Sequence, residues 1–462
     1  MKSKFLNQKK IKVIICFLLI FITSISYYYS DSMSITRQGI NFWKALFTGD
    51  ILHYYSLSQI SVEQGEMIHY ANYDMVLNLL ISLWQLPLFI LEKIIGGNIL
   101  QFYIAKVYSK LYLIILVWWT GKVLQKIGKQ MNYDDESLDN LFLMYISGIT
   151  IFTTAGVVGQ IDLFGILFIL YALYYLLCDK KKLFMLFFIL AVQCKFFALF
   201  ILTPVILLQE KKIWKCCIEV VIPLLVTVII ALPFKLADPL GVAGKGSRLS
   251  EMVEYMLESK IYFLGYTIPI IFITYIAVCI IAYYLEISEE KGNWYIYFAY
   301  LGCLVLFLPM KTYPYWFIYF LPFTCLFFFI NTKKRKRKLF IETVCSWALA
   351  VGYILNSYWC FSAFGVMWVS KVFQTERDFI ALSNIWDKFG HASYYMAWTI
   401  TYAPYVILLI LITIYYNPKV QKKLTCDDKG EDISRGLTIR LIGNFLICNV
   451  GLILFLLAQI NI

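Results

Sequence analysis

Charge is what this chain of 462 residues has least of. Asp, Glu, Lys and Arg make up 15% of it while hydrophobic residues reach 61%; ordinary soluble domains carry about 25% charged residues. A soluble core cannot hide that much apolar surface, which excludes a soluble enzyme, a secreted scaffold and a disordered chain. Histidine is scarce as well: His53, His69 and His391 are too dispersed for a zinc motif such as HExxH. The 12 cysteines form no CxxC, lie mostly in apolar segments and imply no disulfide framework, with Cys216 and Cys217 merely adjacent. No small-residue cleavage site comes after the first apolar stretch, which begins at Ile11 behind a basic flank, so it reads as a retained signal anchor. The glycine-rich GVAGKGSR, 241–248, lacks the spacing and the Lys-Ser/Thr ending of a Walker A loop and reads as a flexible outer loop. No convincing internal repeat is present, which weakens a transporter built from two inverted halves.

What the chain does have is a long series of apolar segments, at 11–29, 75–95, 102–121, 139–157, 160–178, 183–208, 216–234, 261–286, 293–309, 313–331, 339–360, 395–416 and 438–460. Spans of about 20 residues each suit a bilayer. The expectation is an all-α polytopic transmembrane helical bundle of about 12–13 spans, with juxtamembrane helices on its outer face. The formal net charge of +12 is spread in short blocks between these segments: Lys9, Lys10 and Lys12; 180–182; Lys211 and Lys212; 333–338; and Lys419, Lys422 and Lys423. That is the positive-inside pattern rather than a nucleic-acid groove, although 333–338 alone resembles a nuclear localisation signal. It predicts a cytoplasmic amino terminus, with the long polar intervals 30–74, 235–260 and 361–394 outside. One conflict arises at 75–95 and 183–208. All lysine blocks fall inside if 75–95 is re-entrant or interfacial and 183–208 is a short hairpin, with breaks expected at Pro87 and Pro204. This arrangement puts Asp162 on the outer face.

The outer loops carry patterns of their own. Ile40, Trp43 and Phe47 share one helical face, with Gln38, Asn41, Lys44 and Thr48 elsewhere, which predicts a short amphipathic helix lying on the bilayer. Ser250 is placed to cap a second helix whose first turn holds Glu251 and Glu254.

A few charges stand out against the apolar background. Asp31 directly succeeds the first span and reads either as a general base facing water or as an ordinary solvated carboxylate. Asp50, Glu63, Glu66 and Asp74 in the same loop read as solvated charge. Gln160 and Asp162 open an apolar run, where an acid needs water, a cation or a substrate. Lys195, in the middle of a 26-residue apolar run, must pair, snorkel or face a cavity. Lys106 and Lys110, at i, i+4 spacing, and Lys311 read as anion contacts or interfacial anchors. The aromatic content of 18% is mainly belt and lipid-facing surface.

In order along the chain come an amino-terminal span, an outer loop opening with Asp31 and continuing as GINFWKALFTGDILHYYS, then NYDMVLNLLISLWQLPLFI, then GQIDLFGILFILYALYYLLCDKKKLFMLFFILAVQCKFFALFILTPVILL. Over about residues 11–210 this resembles the polytopic C-type (GT-C) glycosyltransferases that use polyprenyl-phosphate sugars, especially the bacterial mannosyltransferase-like branch with its Gly-Gln-x-Asp motif. The resemblance implies a catalytic transmembrane module over 1–260, including the first outer loop 30–74, and a variable carboxy-terminal transmembrane module over 261–462. It implies Asp31 as catalytic base, Asp162 as the second outer acid near the active site and Lys195 as the membrane lysine, so Asp31 and Asp162 are expected to be catalytic and Gln160, Lys195 and Tyr313 to bind substrate. MKTYPYWFIYFLPF resembles the later outer loop near the donor phosphate, but Lys311 precedes Tyr313 without the His or Arg-Tyr pair of some relatives. Lys311, Lys106 and Arg248 are the next cations in line for the phosphate. The first loop lacks a contiguous Asp-x-Asp, so a divalent metal is left open and no other cofactor is implied.

The expected activity is transfer of a sugar from a polyprenyl-phosphate donor to an envelope glycan or lipid-linked acceptor on the outer face of the cell membrane, within polysaccharide biosynthesis. The alternatives are a polymerase of lipid-linked repeat units and a transporter or flippase for an anionic lipid or sugar.

Overall fold

The computed structural model describes residues 2–67, 71, 73–287, 290–310, 313–330, 334–356, 392–421, 432–450 and 453. These residues are mostly helical. In chain order they form α1 (Lys2–Ser26), α2 (Ser30–Phe47), α3 (Tyr54–Glu63), α4 (Met75–Ile95), α5 (Tyr103–Gln130), α6 (Asp135–Ile146) and the single turn α7 (Ile149–Ile151), which runs into a π-helix at Phe152–Val158. Next come α8 (Asp162–Leu177), α9 (Lys181–Cys194), α10 (Phe197–Gln209), α11 (Ile213–Ala237), α12 (Pro239–Leu257), a hairpin of β1 (Lys260–Phe263) and β2 (Tyr266–Pro269), α13 (Ile270–Tyr284) and α14 (Lys291–Phe307). The chain continues as α15 (Leu321–Ile330), α16 (Arg335–Asn356), α17 (Ala392–Tyr415), α18 (Pro418–Gln421) and α19 (Ser434–Cys448).

By length and composition, three helices among the described residues can cross a membrane: α4, α5 and α11. The number rises to five if two bent helix pairs each count as one span; in one of these, Asp135–Ile146 and Ile149–Val158 meet at 44°. Five shorter apolar helices of 10–17 residues accompany them, within Asp162–Leu177, Phe197–Gln209, Ile270–Tyr284, Leu321–Ile330 and Ile400–Tyr415, so the described residues show three to five of the 12–13 spans expected. Apolar composition does not register where a run breaks: 183–208 divides into α9 and α10, and 261–286 divides into the hairpin and α13, a helix of 15 residues.

The breaks also fall in other places than the prolines suggest. Pro87 sits inside an unbroken 21-residue α4, and Pro204 sits inside α10. The interruption comes instead at Lys195, whose backbone is extended (φ −162°, ψ 129°). A proline costs a helix one hydrogen bond, whereas a buried lysine needs a carboxylate. GVAGKGSR is no loop: its backbone lies within α12, which begins where Asp238 accepts from the Gly241 N–H at 2.9 Å and Pro239 fills the first helical position. Ser250 is therefore an interior residue of that helix and not its cap. The expected outer interval 361–394 lies outside the described residues apart from its last three positions.

The chain forms two compact units, each assembled from segments on both sides of residue 260. The first comprises Met1–Tyr29, Leu113–Gln160 and Pro314–Ile462. Its most buried cation is Arg440, which donates to both oxygens of Glu342 at 2.8 Å, to the Met144 carbonyl at 2.8 Å and to Ser147 Oγ at 2.7 Å. Asn444, one turn on, donates to the Ser147 carbonyl at 2.6 Å and accepts from the Trp347 indole at 2.8 Å.

The second unit comprises Ser30–Tyr112 and Ile161–Tyr313. In it α8 and α9 form a helical hairpin around a turn in which Asp179 takes a left-handed conformation (φ 56°). Tyr171 and Tyr175 stack on Phe187 across that hairpin, with ring centroids 4.8 and 5.3 Å apart. α2 packs on α4 through Gly39, where an added Cβ would lie 2.7 Å from Gln85 Cγ. The face of α2 expected to meet water is thus inside: Gln38 and Asn41 are buried, and Asn41 donates to Ser61 Oγ at 2.8 Å. Phe47, assigned to the apolar face, is exposed. α10 approaches α14 closely enough that a Cβ on Gly302 would lie 2.6 Å from the Phe200 carbonyl oxygen.

Candidate functional site

Two helix ends of the second unit make the candidate site. Asp162 occupies the first turn of α8, where the positive end of the helix dipole favours a carboxylate. Lys195 ends α9, at the same end of the α8–α9 hairpin, because an antiparallel pair brings together residues equidistant from its turn. Lys195 Nζ donates to Asp162 Oδ1 at 2.5 Å. The Asp162 side chain is 1% exposed and that of Lys195 16%, so the lysine side chain is the less enclosed of the two. The Phe197 ring lies 4.9 Å from the ammonium and adds a cation–π contact.

A second carboxylate belongs to this corner. Asp74 precedes α4, and both Asp74 and Asp162 are within electrostatic reach of Cys194, the last residue of α9. Beside Asp74, the Tyr73 carbonyl accepts from the Tyr55 hydroxyl at 3.0 Å and from Asn78 at 3.1 Å. By sequence alone Asp74 groups with the solvated loop charges. The signal that separates it from Glu63 is its place immediately before a long apolar helix.

The other expected site residues are spread over several elements. Asp31 is half-buried in the first turn of α2, again a favourable place for an anion. Gln160 is buried at the end of the first unit, its N–H donating to the Thr154 carbonyl at 2.9 Å. Lys106 is half-buried in the first turns of α5, and Lys110, one turn on, is fully buried. Tyr313 places its hydroxyl 3.5 Å from that of Tyr255, with the rings edge to face. Lys311 and the Arg248 side chain lie outside the described residues. The structure therefore joins Asp162 to Lys195 and sets Asp31, Lys106 and Tyr313 on other helices or segments of the same unit.

A second constellation escapes a reading of the sequence. Arg37, fully buried in α2, donates to both oxygens of Glu92 at 2.7 and 2.9 Å and also to Asn98 Oδ1. Lys44 reaches the same Glu92 at 2.8 Å. Glu92, Asn98 and Lys44 border a cavity of about 790 Å³ whose rim also holds His53, Asp50 and Glu66. At the rim, His53 Nδ1 donates to Asp50 at 2.5 Å; that hydrogen bond and the field of the carboxylate raise the imidazole above its ordinary value. A glutamate within the apolar run LPLFILEKII is the available signal for this cluster.

Among the described residues, no group of three or more His, Cys, Asp or Glu side chains is arranged to hold a metal ion. What the Asp162–Lys195 corner can do is hold a cation at a fixed, half-buried position beside an apolar wall. Comparison with protein-family models, curated proteins and solved structures finds no match for this chain.

Proposed function

We propose that the protein is a membrane glycosyltransferase that moves one sugar from a polyprenyl-phosphate donor to a glycan or lipid-linked acceptor on the outer face of the membrane. The observation that carries the reading is the buried Asp162–Lys195 pair at a helix break, which coincides with the acid and the lysine of the Gly-Gln-x-Asp order. Ionisable residues in an apolar setting are rare and often mark a substrate or ion site.

In the reaction, the acceptor hydroxyl oxygen forms a bond to the anomeric carbon as the bond from that carbon to the phosphate oxygen breaks. The electron pair leaves with the polyprenyl phosphate, and the hydroxyl proton passes to Asp31. Lys195 offsets the charge that grows on the leaving phosphate in a partly dehydrated site. Asp162 is then a positioning residue: it fixes where the ammonium stands without touching substrate.

The test is the purified protein in vesicles with a radiolabelled polyprenyl-phosphate sugar and an envelope-glycan acceptor, in the absence of any ion gradient. Label moving into the acceptor supports the reading. Gradient-driven movement of the lipid without covalent transfer overturns it in favour of a transporter, for which the same ion pair would line the pathway.

A further inference from the structure

The hairpin between α12 and α13 is built for a medium other than water. Its register pairs Ile261 with Ile268, Tyr262 with Thr267 and Phe263 with Tyr266. Since successive side chains alternate between faces, Ile261, Ile268, Phe263 and Tyr266 share one face, and Tyr262 and Thr267 share the other with Lys260 at the base. Neither face is packed away: Tyr262 is 78% exposed, Phe263 59%, Leu264 80% and Tyr266 73%. A lone two-stranded hairpin is marginal in water, and this one exposes large aromatic side chains on both faces, with Lys260, Thr267 and the tyrosine hydroxyls as its polar groups.

What covers these residues is indicated by the adjoining helix. No charged residue occurs between Lys260 and Glu286, so the hairpin and α13 form one uncharged stretch. On α13 the exposed residues Phe272, Ile276, Ile280 and Tyr284 recur every four positions on one face and end in an aromatic. A helix of 15 residues is about 22 Å long at 1.5 Å per residue, shorter than a hydrocarbon core of about 30 Å. Tyr284 at one end of the stripe, and Tyr262 and Tyr266 in the hairpin before the other, are of the residue type that settles at membrane–water interfaces. Among the described residues no further strand pairs with the outer edges of β1 and β2, and unpaired backbone groups are not tolerated in hydrocarbon. The depth is therefore bounded from both sides: too apolar for bulk water, too open at its edges for the acyl core.

We infer that the 260–269 hairpin is a lipid-contact element seated at headgroup level, where it fixes the depth of α13 and of the end of α12. This requires only that the chain crosses a membrane and does not depend on the transferase reading.

The test places p-benzoylphenylalanine at Tyr262, Leu264 or Tyr266 in the full-length protein, in vesicles of phosphatidylcholine and phosphatidylglycerol. Ile276 serves as the lipid-facing reference and the exposed Asp135 as the polar one. After irradiation, mass spectrometry should find the mass of one phospholipid added at each hairpin position, at a yield comparable to Ile276 and far above Asp135. The attachment should lie toward the glycerol end of the acyl chain, against mid-chain attachment at Ile276. Adducts to a second protein copy, or none at the hairpin while Ile276 gives them, would overturn the inference. Mid-chain attachment at the hairpin would overturn the depth, and an Ile276 position without lipid adducts would remove its basis in α13.

Discussion

Arg440 in the first unit and Lys195 in the second are both cations paired with an acid inside a mostly apolar protein, yet they are built differently. Arg440 is wholly buried and directs its N–H groups to Glu342, Ser147 and a main-chain carbonyl. Lys195 stands where a helix stops, its side chain half-buried and its ammonium against the Phe197 ring. A pair enclosed by its own hydrogen bonds holds structure together. A half-buried pair at a helix break depends on fewer of the surrounding main-chain groups.

The largest expected effect lies at neither pair. Asp31→Asn keeps the size and hydrogen bonding of the side chain but removes the base, so transfer should fall by about 10²- to 10⁴-fold with insertion and thermal stability unchanged. Near-normal turnover in the radiolabel assay would remove Asp31 from the mechanism.

Next comes the enclosed pair. Arg440→Met strands Glu342 in a buried site and should cost about 3–5 kcal/mol of stability, read as a lower melting temperature in detergent. Adding Glu342→Gln should restore much of it, since the stranded charge is gone. If Arg440→Met melts like the unmodified protein, the distinction between the two pairs fails.

The half-buried pair should separate stability from activity. Lys195→Met keeps the stem's bulk and loses the charge, so donor turnover should be greatly reduced, with a stability loss comparable to that of Arg440→Met because Asp162 is stranded at 1% exposure, and Lys195→Arg should be intermediate because its charge has a different geometry. The double variant Lys195→Met with Asp162→Asn removes the stranded acid and should recover stability without recovering transfer. Recovery of both would make the pair structural, like that of Arg440.

The smallest effect is expected at the exposed pair of His53 and Asp50. A folded-state pKa raised above the ordinary 6.5 means that the pair's contribution is fully present below the unfolded value and is lost as pH rises through the folded one. Thermal scans at low salt should show Asp50→Asn less stable than the unmodified protein at pH values below about 6 and indistinguishable well above the folded pKa, with the difference shrinking in high salt. A difference that grows with pH would reverse the assigned sign.

Part of this is legible in the residues. Asp162 and Lys195 lie nearly the same number of residues from the DKKK turn, so an α-hairpin folded there brings them together, and both interrupt apolar runs. The long apolar α4, α5 and α11 are visible for the same reason. The polar face of α2 misleads because periodicity separates two faces without saying whether the polar one meets water or the polar groups of another helix; Gln38 and Asn41 are buried, and Asn41 meets the latter. The Arg37–Glu92 pair joins positions 55 residues apart, a separation that no local pattern encodes. GVAGKGSR misleads because its glycines signal a loop, while the helix start is set upstream by Asp238 and Pro239.

The π-helix at Phe152–Val158 makes chain length itself a determinant of the fold. Its wider turns take up one residue more than an α-helical path would, so a single-residue deletion there would return the segment to α-helical winding while leaving the chain on either side nearly in phase. Gly156, where a Cβ would stand 2.8 Å from Thr23 Cγ2, and Thr154, whose hydroxyl donates to the Tyr315 carbonyl at 3.0 Å, would both lose their counterparts. Substitutions along Phe152–Val158 alter one contact at a time, whereas deleting the extra residue unmakes the wide turn and its contacts together.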